Sequence, residues 1–346
     1  MKEQKSFLVP MAFLGLMFFT CGFALGINSL LVPVLKVSLS VSSMEAYMLI
    51  GATFLPFLIF GYPAGMLISK IGYKRTMAIA FGMFAVAFGV FIFSADAKSF
   101  PLFLAASFFC GTANTFLQAA INPYVTILGP TESAAKRISI MGMINKLAWP
   151  VSPLFIALFA GASGSVAIDD LGKPFAVIIC LFVALGVVAL LSPLPEVKAA
   201  GEDSSETDEV DQEVSAYANS KKSVFQFPHL VLGAIAIFFY VGAETIVLGT
   251  TLVVLLPGVY SIYSVGVMAL GCSLMWPAFW PLALMDLGKF TKKGSSLLTM
   301  GLIGGAAITV LFGLLKDVSD ARYAYGLCFV CFGYILFYAF KGYKLR

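Results

Sequence analysis

The chain has 346 residues, 60% of them hydrophobic and only 12% charged, with a formal net charge of +4 and a mean hydropathy of +0.95. Soluble domains carry about twice that share of charge, so a soluble fold with a polar shell is excluded and the chain reads as a polytopic membrane protein. No basic cluster suggests nucleic-acid binding, the single His229 excludes a histidine-rich metal site, and no nucleophile–base pair or phosphate loop marks an enzyme.

A helix needs about 20 apolar residues to cross the hydrocarbon layer. Ten segments qualify, at about 8–35, 46–69, 75–94, 100–127, 138–160, 174–194, 228–250, 262–285, 295–315 and 323–341. Lys2 and Lys5 before the first run mimic a secretory leader, but the run is too long for a leader's apolar region, so it reads as a retained span. Gly26, Pro56, Pro63, Pro123, Pro150, Pro277 and Pro281 mark expected kinks, which neighbouring helices make tolerable. The six cysteines, including the Cys328–Cys331 pair, lie in apolar runs and read as small buried residues rather than a disulfide framework.

Orientation follows from lysine and arginine. With the N-terminus in the cytoplasm, sixteen of the 22 basic residues fall on the inner side, five on the outer side and one, Lys146, inside a span. Both termini are therefore expected to be cytoplasmic. Residues 196–226 are acidic, polar and poor in apolar residues, the composition of a solvated linker. They divide the chain into an N-terminal bundle of six spans (1–195) and a C-terminal bundle of about four (227–346).

The stretch 114–130 carries Asn114, Gln118 and Asn122 at i, i+4 and i+8, one stripe of a helix. Unpartnered amides in hydrocarbon cost a few kcal/mol each. The stripe is read as lining a polar site inside the bundle, together with Asn145, Lys146 and Trp149 downstream; the alternative is that these amides only bridge helices. Two charges lie well inside the spans, Lys146 and Glu244. Their estimated depths, ~12 and ~24 Å from the inner ends of their spans at 1.5 Å per residue, favour two groups facing one cavity without direct contact. Trp149, Trp276 and Trp280 lie on the same candidate lining spans, and ring faces beside amides suit the C–H faces and hydroxyls of a sugar. The other reading is interfacial or core aromatics. Glu244 is the one deep carboxylate, so a coupling proton would fall to it.

Several stretches carry a family resemblance: NSLLVP (28–33), GYPAGMLISKIGYKR (61–75), LQAAINPYVTILGP (117–130), AIFFYVGAE (236–244) and LMWPAFWPLALMDLGKFTKKGSS (274–296). With them the chain resembles the major facilitator superfamily, in particular its fucose permease and glucose/galactose transporter group. The resemblance implies an all-α membrane protein of twelve helices that moves a monosaccharide by alternating access. It implies a bacterial inner-membrane location, a coupling cation (H+ or Na+) and no other cofactor, and a sugar and the lipid bilayer as partners of a monomer. It places Asn28 and Ser29 with the substrate-binding residues and makes Gly65, Lys70, Gly72, Lys74 and Arg75 a conformational latch; the other reading of this loop is positive-inside anchoring alone. The family's acids at the positions of Ser29 and Gln118 are neutral here, as is the latch acid at Ser69.

About ten spans instead of twelve are present, and the seventh span runs near 248–252 directly into sequence resembling the end of the ninth. The second bundle is thus expected to be incomplete, with the small-residue face at Gly301, Gly304 and Gly305 deprived of its partners. Such a chain is expected to insert but to transport poorly or not at all. A truncated, non-transporting product of a sugar-transporter gene and a sugar-sensing membrane protein therefore stand as alternatives to a working transporter.

Overall fold

The computed structural model describes residues 8–128, 133–159, 166–192, 220–254, 271–272, 275–276, 278–285, 287, 290–319 and 321–345. The long elements are α1 (Leu8–Ser38), α2 (Ser43–Ile71), α3 (Tyr73–Asp96), α4 (Phe100–Ile127), α5 (Ala134–Ala157), α6 (Gly172–Leu191), α7 (Pro228–Val254), α8 (Thr291–Gly301), α9 (Gly304–Val318) and α10 (Gly326–Phe340). They supply nine spans long and apolar enough to cross a membrane among the described residues, with α8 and α9 sharing one of them. The expected span at 262–285 lies partly outside the described residues; what is described of it is helical at 271–272, 275–276 and 278–284. The acidic linker lies outside them up to residue 219. α7 is unbroken through 248–252.

Short connections are set by local chemistry. α2 starts at a capping box, with the Ser42 side chain accepting from Glu45 N and the Glu45 carboxylate accepting from Ser42 N. α2 and α3 are separated by the single residue Gly72, whose φ of 83° is a conformation glycine adopts without penalty. Hydroxyls inside the spans satisfy themselves locally: Thr20, Thr53, Thr115 and Thr245 each donate to the carbonyl four residues back.

Lipid provides no hydrophobic force between helices, so packing depends on close approach through small residues. A Cβ added at Gly22 of α1 would lie 1.9 Å from the Asn145 carbonyl oxygen of α5, and one at Gly111 of α4 would lie 1.9 Å from that of Thr53 on α2. α3 and α6 join through rings, with Phe84 stacked on Phe182 at 5.0 Å and Phe88 edge-on to Phe175 at 5.2 Å. These contacts build one apolar core from α1 and α3–α6; a second core joins α7–α10 to faces of α1 and α2.

The expectation that Gly301, Gly304 and Gly305 lose their partners is corrected. A Cβ at Gly301 would lie 2.6 Å from the Ala234 carbonyl oxygen, and one at Gly304 would lie 1.8 Å from that of Phe238, both on α7. At Gly305 it would lie 2.7 Å from the Phe54 ring of α2. The face is filled because the span breaks between α8 and α9. There Leu302, Ile303 and Gly305 donate to carbonyls only three residues back, which turns the glycines onto two neighbours at once.

α2 runs antiparallel to α8 and α9 and forms the main seam between the halves. Near one end the Asp317 carboxylate of α9 accepts from Ser43 N at 3.1 Å and Met44 N at 2.7 Å, in the first turn of α2. Along the seam follow the edge-on pair Tyr47–Phe312, then Gly51 against Val310, Phe54 against Gly305 and, near the far end, Gly65 against Ser296.

Candidate functional site

Where the halves meet at mid-span they enclose a cavity lined by both. α1 contributes Phe18 and Leu25, α2 Phe54, α4 Gln118 and α5 Gly142, Asn145, Lys146 and Trp149; the second half contributes Val241, Glu244, Trp276 and Leu302. It holds about 30 Å³, room for about two waters, so this arrangement of the halves is too closed to hold a sugar. Apolar walls with a few converging polar groups are the usual make-up of a small-molecule site.

The centre of the site is an ion pair. Lys146 Nζ lies 2.6 Å from Glu244 Oε2, with side-chain exposures of 10% and 5%. The expectation that these groups face one cavity without touching is therefore corrected. α5 begins at Ala134, one turn before the boundary read from the sequence. That puts Lys146 at ~18 Å instead of ~12 Å along its helix, and the lysine stem covers the remaining difference from Glu244. The ammonium also lies over the Trp149 ring, 5.8 Å from its centroid. The other carboxylate oxygen, Oε1, accepts from the Tyr240 hydroxyl one turn back on α7. Tyr240 Oη is also 2.8 Å from the Cys272 carbonyl oxygen. Tyr240 was not singled out in the sequence; its position four residues before the buried acid was the available signal, but a tyrosine in a helix rich in rings reads as core.

The remaining amides divide by role. Gln118 Nε2 donates to Asn114 Oδ1 at 3.0 Å, joining two steps of the stripe, while Asn145 Nδ2 donates to the Phe18 carbonyl at 2.9 Å. Asn114 and Asn122 are buried without lining the cavity, and Asn114 Nδ2, Asn122 Oδ1, Trp149 Nε1 and Trp280 Nε1 have no partner among the described residues. Trp280 is packed edge-on against Trp276 at 5.8 Å, behind the lining. Asn28 is taken up in bridging α1 to α4: its Oδ1 accepts from Ser107 Oγ at 2.9 Å and its Nδ2 reaches Ala24 O and Cys110 Sγ. Ser29 is half-buried beside it and outside the lining. Of the expected latch, Lys74 donates to the Ser192 carbonyl at 2.6 Å and so caps α6 of its own half, while Lys70 and Arg75 are exposed. No group of three or more metal-ligating side chains occurs among the described residues.

The family model of the Major Facilitator Superfamily matches residues 13–341. A glucose/galactose transporter of Brucella abortus is 28% identical over 410 positions, covering 99% of this chain and 96% of that one. The L-fucose-proton symporter of Escherichia coli is 23% identical over 412 positions, covering 94% and 92%. Because 410 positions exceed the 346 residues present, at least 64 positions of the Brucella relative face no residue here. That is the length of about two spans with their loops. Among solved structures, the crystal structure of the transporter FucP in the outward conformation superposes with a TM-score of 0.69 at 21% identity, covering 97% of this chain and 99% of that one. Helical architecture, a mid-span cavity between two bundles and a family match along nearly the whole chain agree: this chain belongs to the Major Facilitator Superfamily.

Proposed function

We propose that this protein carries a monosaccharide of the glucose, galactose or fucose type across the bacterial inner membrane, as a monomer with both termini in the cytoplasm, by alternating access coupled to a cation. The observation that carries the reading is the cavity, in which two amides and a tryptophan of the first half face a buried acid and a tryptophan of the second. Sugar hydroxyls pair with Gln118, Asn145 and the unpartnered indole N–H of Trp149, and a pyranose C–H face lies on Trp149 or Trp276. The printed names of the relatives, a glucose/galactose transporter and an L-fucose-proton symporter, support this substrate class and a cation.

Alternating access rocks one half against the other around a midplane site. The Lys146–Glu244 pair ties α5 of the first half to α7 of the second. A proton taken up by Glu244 removes its charge, releases Lys146 and lets the halves part enough for a sugar to enter. The test is uptake of labelled glucose, galactose and fucose into proteoliposomes under an imposed pH gradient. Glu244→Gln is expected to abolish pH-driven uptake while sparing exchange; unchanged pH dependence excludes proton coupling through Glu244 and leaves sodium coupling or facilitated diffusion.

A second reading, binding without concentrative uptake, is favoured by the 64 or more positions that the Brucella relative has and this chain lacks. Restoring a relative's two spans after Gly249 distinguishes them. Uptake only by the restored form supports the second reading, and equal uptake by both supports the first.

A further inference from the structure

We propose that Tyr240 is a positioning residue that transmits the proton state of Glu244 to the backbone at Cys272. It thereby makes the grip of α7 on the helical segment that carries Cys272 alternate with the grip of α7 on α5. The inference rests on the reading of Glu244 as the coupling group.

A phenol has one O–H to give. Tyr240 Oη has two acceptors in reach, Glu244 Oε1 and the Cys272 carbonyl oxygen at 2.8 Å. When Glu244 is ionised, its carboxylate is the stronger acceptor and takes that hydrogen; the Cys272 carbonyl goes without it. When Glu244 is protonated, its own O–H donates to Tyr240 Oη, and the phenol hydrogen turns to Cys272. One proton is added at Glu244 and none leaves: the acid turns from acceptor to donor, and Tyr240 Oη and the Cys272 carbonyl each receive a hydrogen. The same proton takes the charge from the partner of Lys146. Proton uptake therefore loosens the tie between α5 and α7 and, through Tyr240, tightens the tie between α7 and the helical segment that carries Cys272.

The surroundings favour such an exchange. Tyr240 and Cys272 are buried, and the Tyr240 ring is held between Trp276 at 6.1 Å and Phe279 at 5.3 Å, so its hydroxyl can rotate while the ring stays in place. The polar and titratable groups facing Glu244 are Lys146 from α5, Tyr240 on its own helix, the Cys272 thiol, and Gln118 from α4 across the cavity. Gaining or losing one hydrogen bond at the buried Cys272 carbonyl shifts an equilibrium several-fold, which gives the switch its leverage.

The experiment is alkylation of Cys272 in the full-length protein in nanodiscs, located by peptide mass spectrometry. Rates are taken at pH 5.5 and 8 and normalised at each pH to the unfolded chain. The wild type is expected to be protected at pH 5.5 by roughly three- to tenfold relative to pH 8, the factor one hydrogen bond supplies. Tyr240→Phe keeps the ring and is expected to lose this pH dependence. Glu244→Gln cannot ionise and donates to Tyr240 at every pH, so it is expected to be protected at both. Equal Cys272 rates in wild type and Tyr240→Phe at both pH values overturn the proposal. Should Tyr240→Phe fail to fold, an unprotected Glu244→Gln at pH 8 overturns it as well. Labelling decides the relay; the pH profile of sugar uptake in Glu244→Gln separately decides whether Glu244 couples transport.

Discussion

Replacing Lys146 by methionine keeps most of the side-chain volume and removes one partner of a pair whose side chains are 10% and 5% exposed. If Glu244 stayed ionised, the loss would be about 3–5 kcal/mol, mostly the cost of leaving a carboxylate buried and unpaired. Glu244 escapes that cost by binding a proton, with Tyr240 beside it to accept the new O–H. The variant's folded state then holds a proton that the unfolded chain releases above a carboxylate's ordinary value of ~4.3. Stability is therefore retained at low pH and falls as pH rises, by up to ~1.4 kcal/mol per pH unit. Between pH 5.5 and 7.5 that amounts to at most ~2.7 kcal/mol, or about 5–10 °C in Tm. The assay is thermal unfolding of wild type, Lys146→Met and Lys146→Met/Glu244→Gln in the same detergent across that range. Only the single variant is expected to lose Tm with rising pH relative to wild type, and the double variant, with neither charge of the pair left, is expected to be the more stable of the two at pH 7.5. A single variant whose deficit does not change with pH, or a double variant equally unstable at pH 7.5, would refute the buried-pair argument.

Gly304→Val drives a side chain into the Phe238 carbonyl, 1.8 Å from the added Cβ, and is expected to abolish a monodisperse gel-filtration peak. Gly82→Ala, with nothing within 4 Å of the added atom on the exposed side of α3, is expected to raise stability by roughly 0.5–1 kcal/mol, read as a higher Tm. Trp149→Phe removes the unpartnered indole N–H and keeps a ring; Tm is expected to stay within about 2 °C while sugar affinity in calorimetry falls about five- to tenfold, the share of one hydrogen bond.

Much of this was legible in the sequence because lipid simplifies the reading. Span length follows from hydrocarbon thickness, and any charge inside a span stands out, so Lys146 and Glu244 were visible at once. Gln118, Asn145, Trp149 and Trp276 followed as their polar and aromatic company, and all four line the cavity. Contact between the charges was missed because a four-residue error at the start of α5 moves a side chain by ~6 Å along the axis, as far as a lysine reaches. The bridging bonds of Asn28 were not legible, because an amide facing a ligand and an amide bridging helices have the same sequence signature; only the positions of Ser107 and Cys110 on α4 reveal the bridge. The glycine face was judged orphaned because one-dimensional spacing does not register the break between α8 and α9 that turns it toward α7 and α2.

The seam between α2 and the α8–α9 span is unevenly tight, and that unevenness fixes where the two halves can separate first. Near Asp317, an atom added at Gly313 would lie 2.9 Å from the Tyr47 ring, and the carboxylate is held by two backbone N–H groups of α2. Toward the other end, atoms added at Gly61 and Gly65 would meet their nearest neighbours only at 3.5 and 3.6 Å, all of them in ordinary contact. Dispersion attraction falls steeply with such small gaps, so the work of parting the seam is least at the Ser296 end and greatest at the Asp317 end. If the halves rock as proposed, the pivot is expected at the carboxylate-capped first turn of α2, with the mid-span cavity opening toward the Ser296 side as a wedge whose apex is at Asp317.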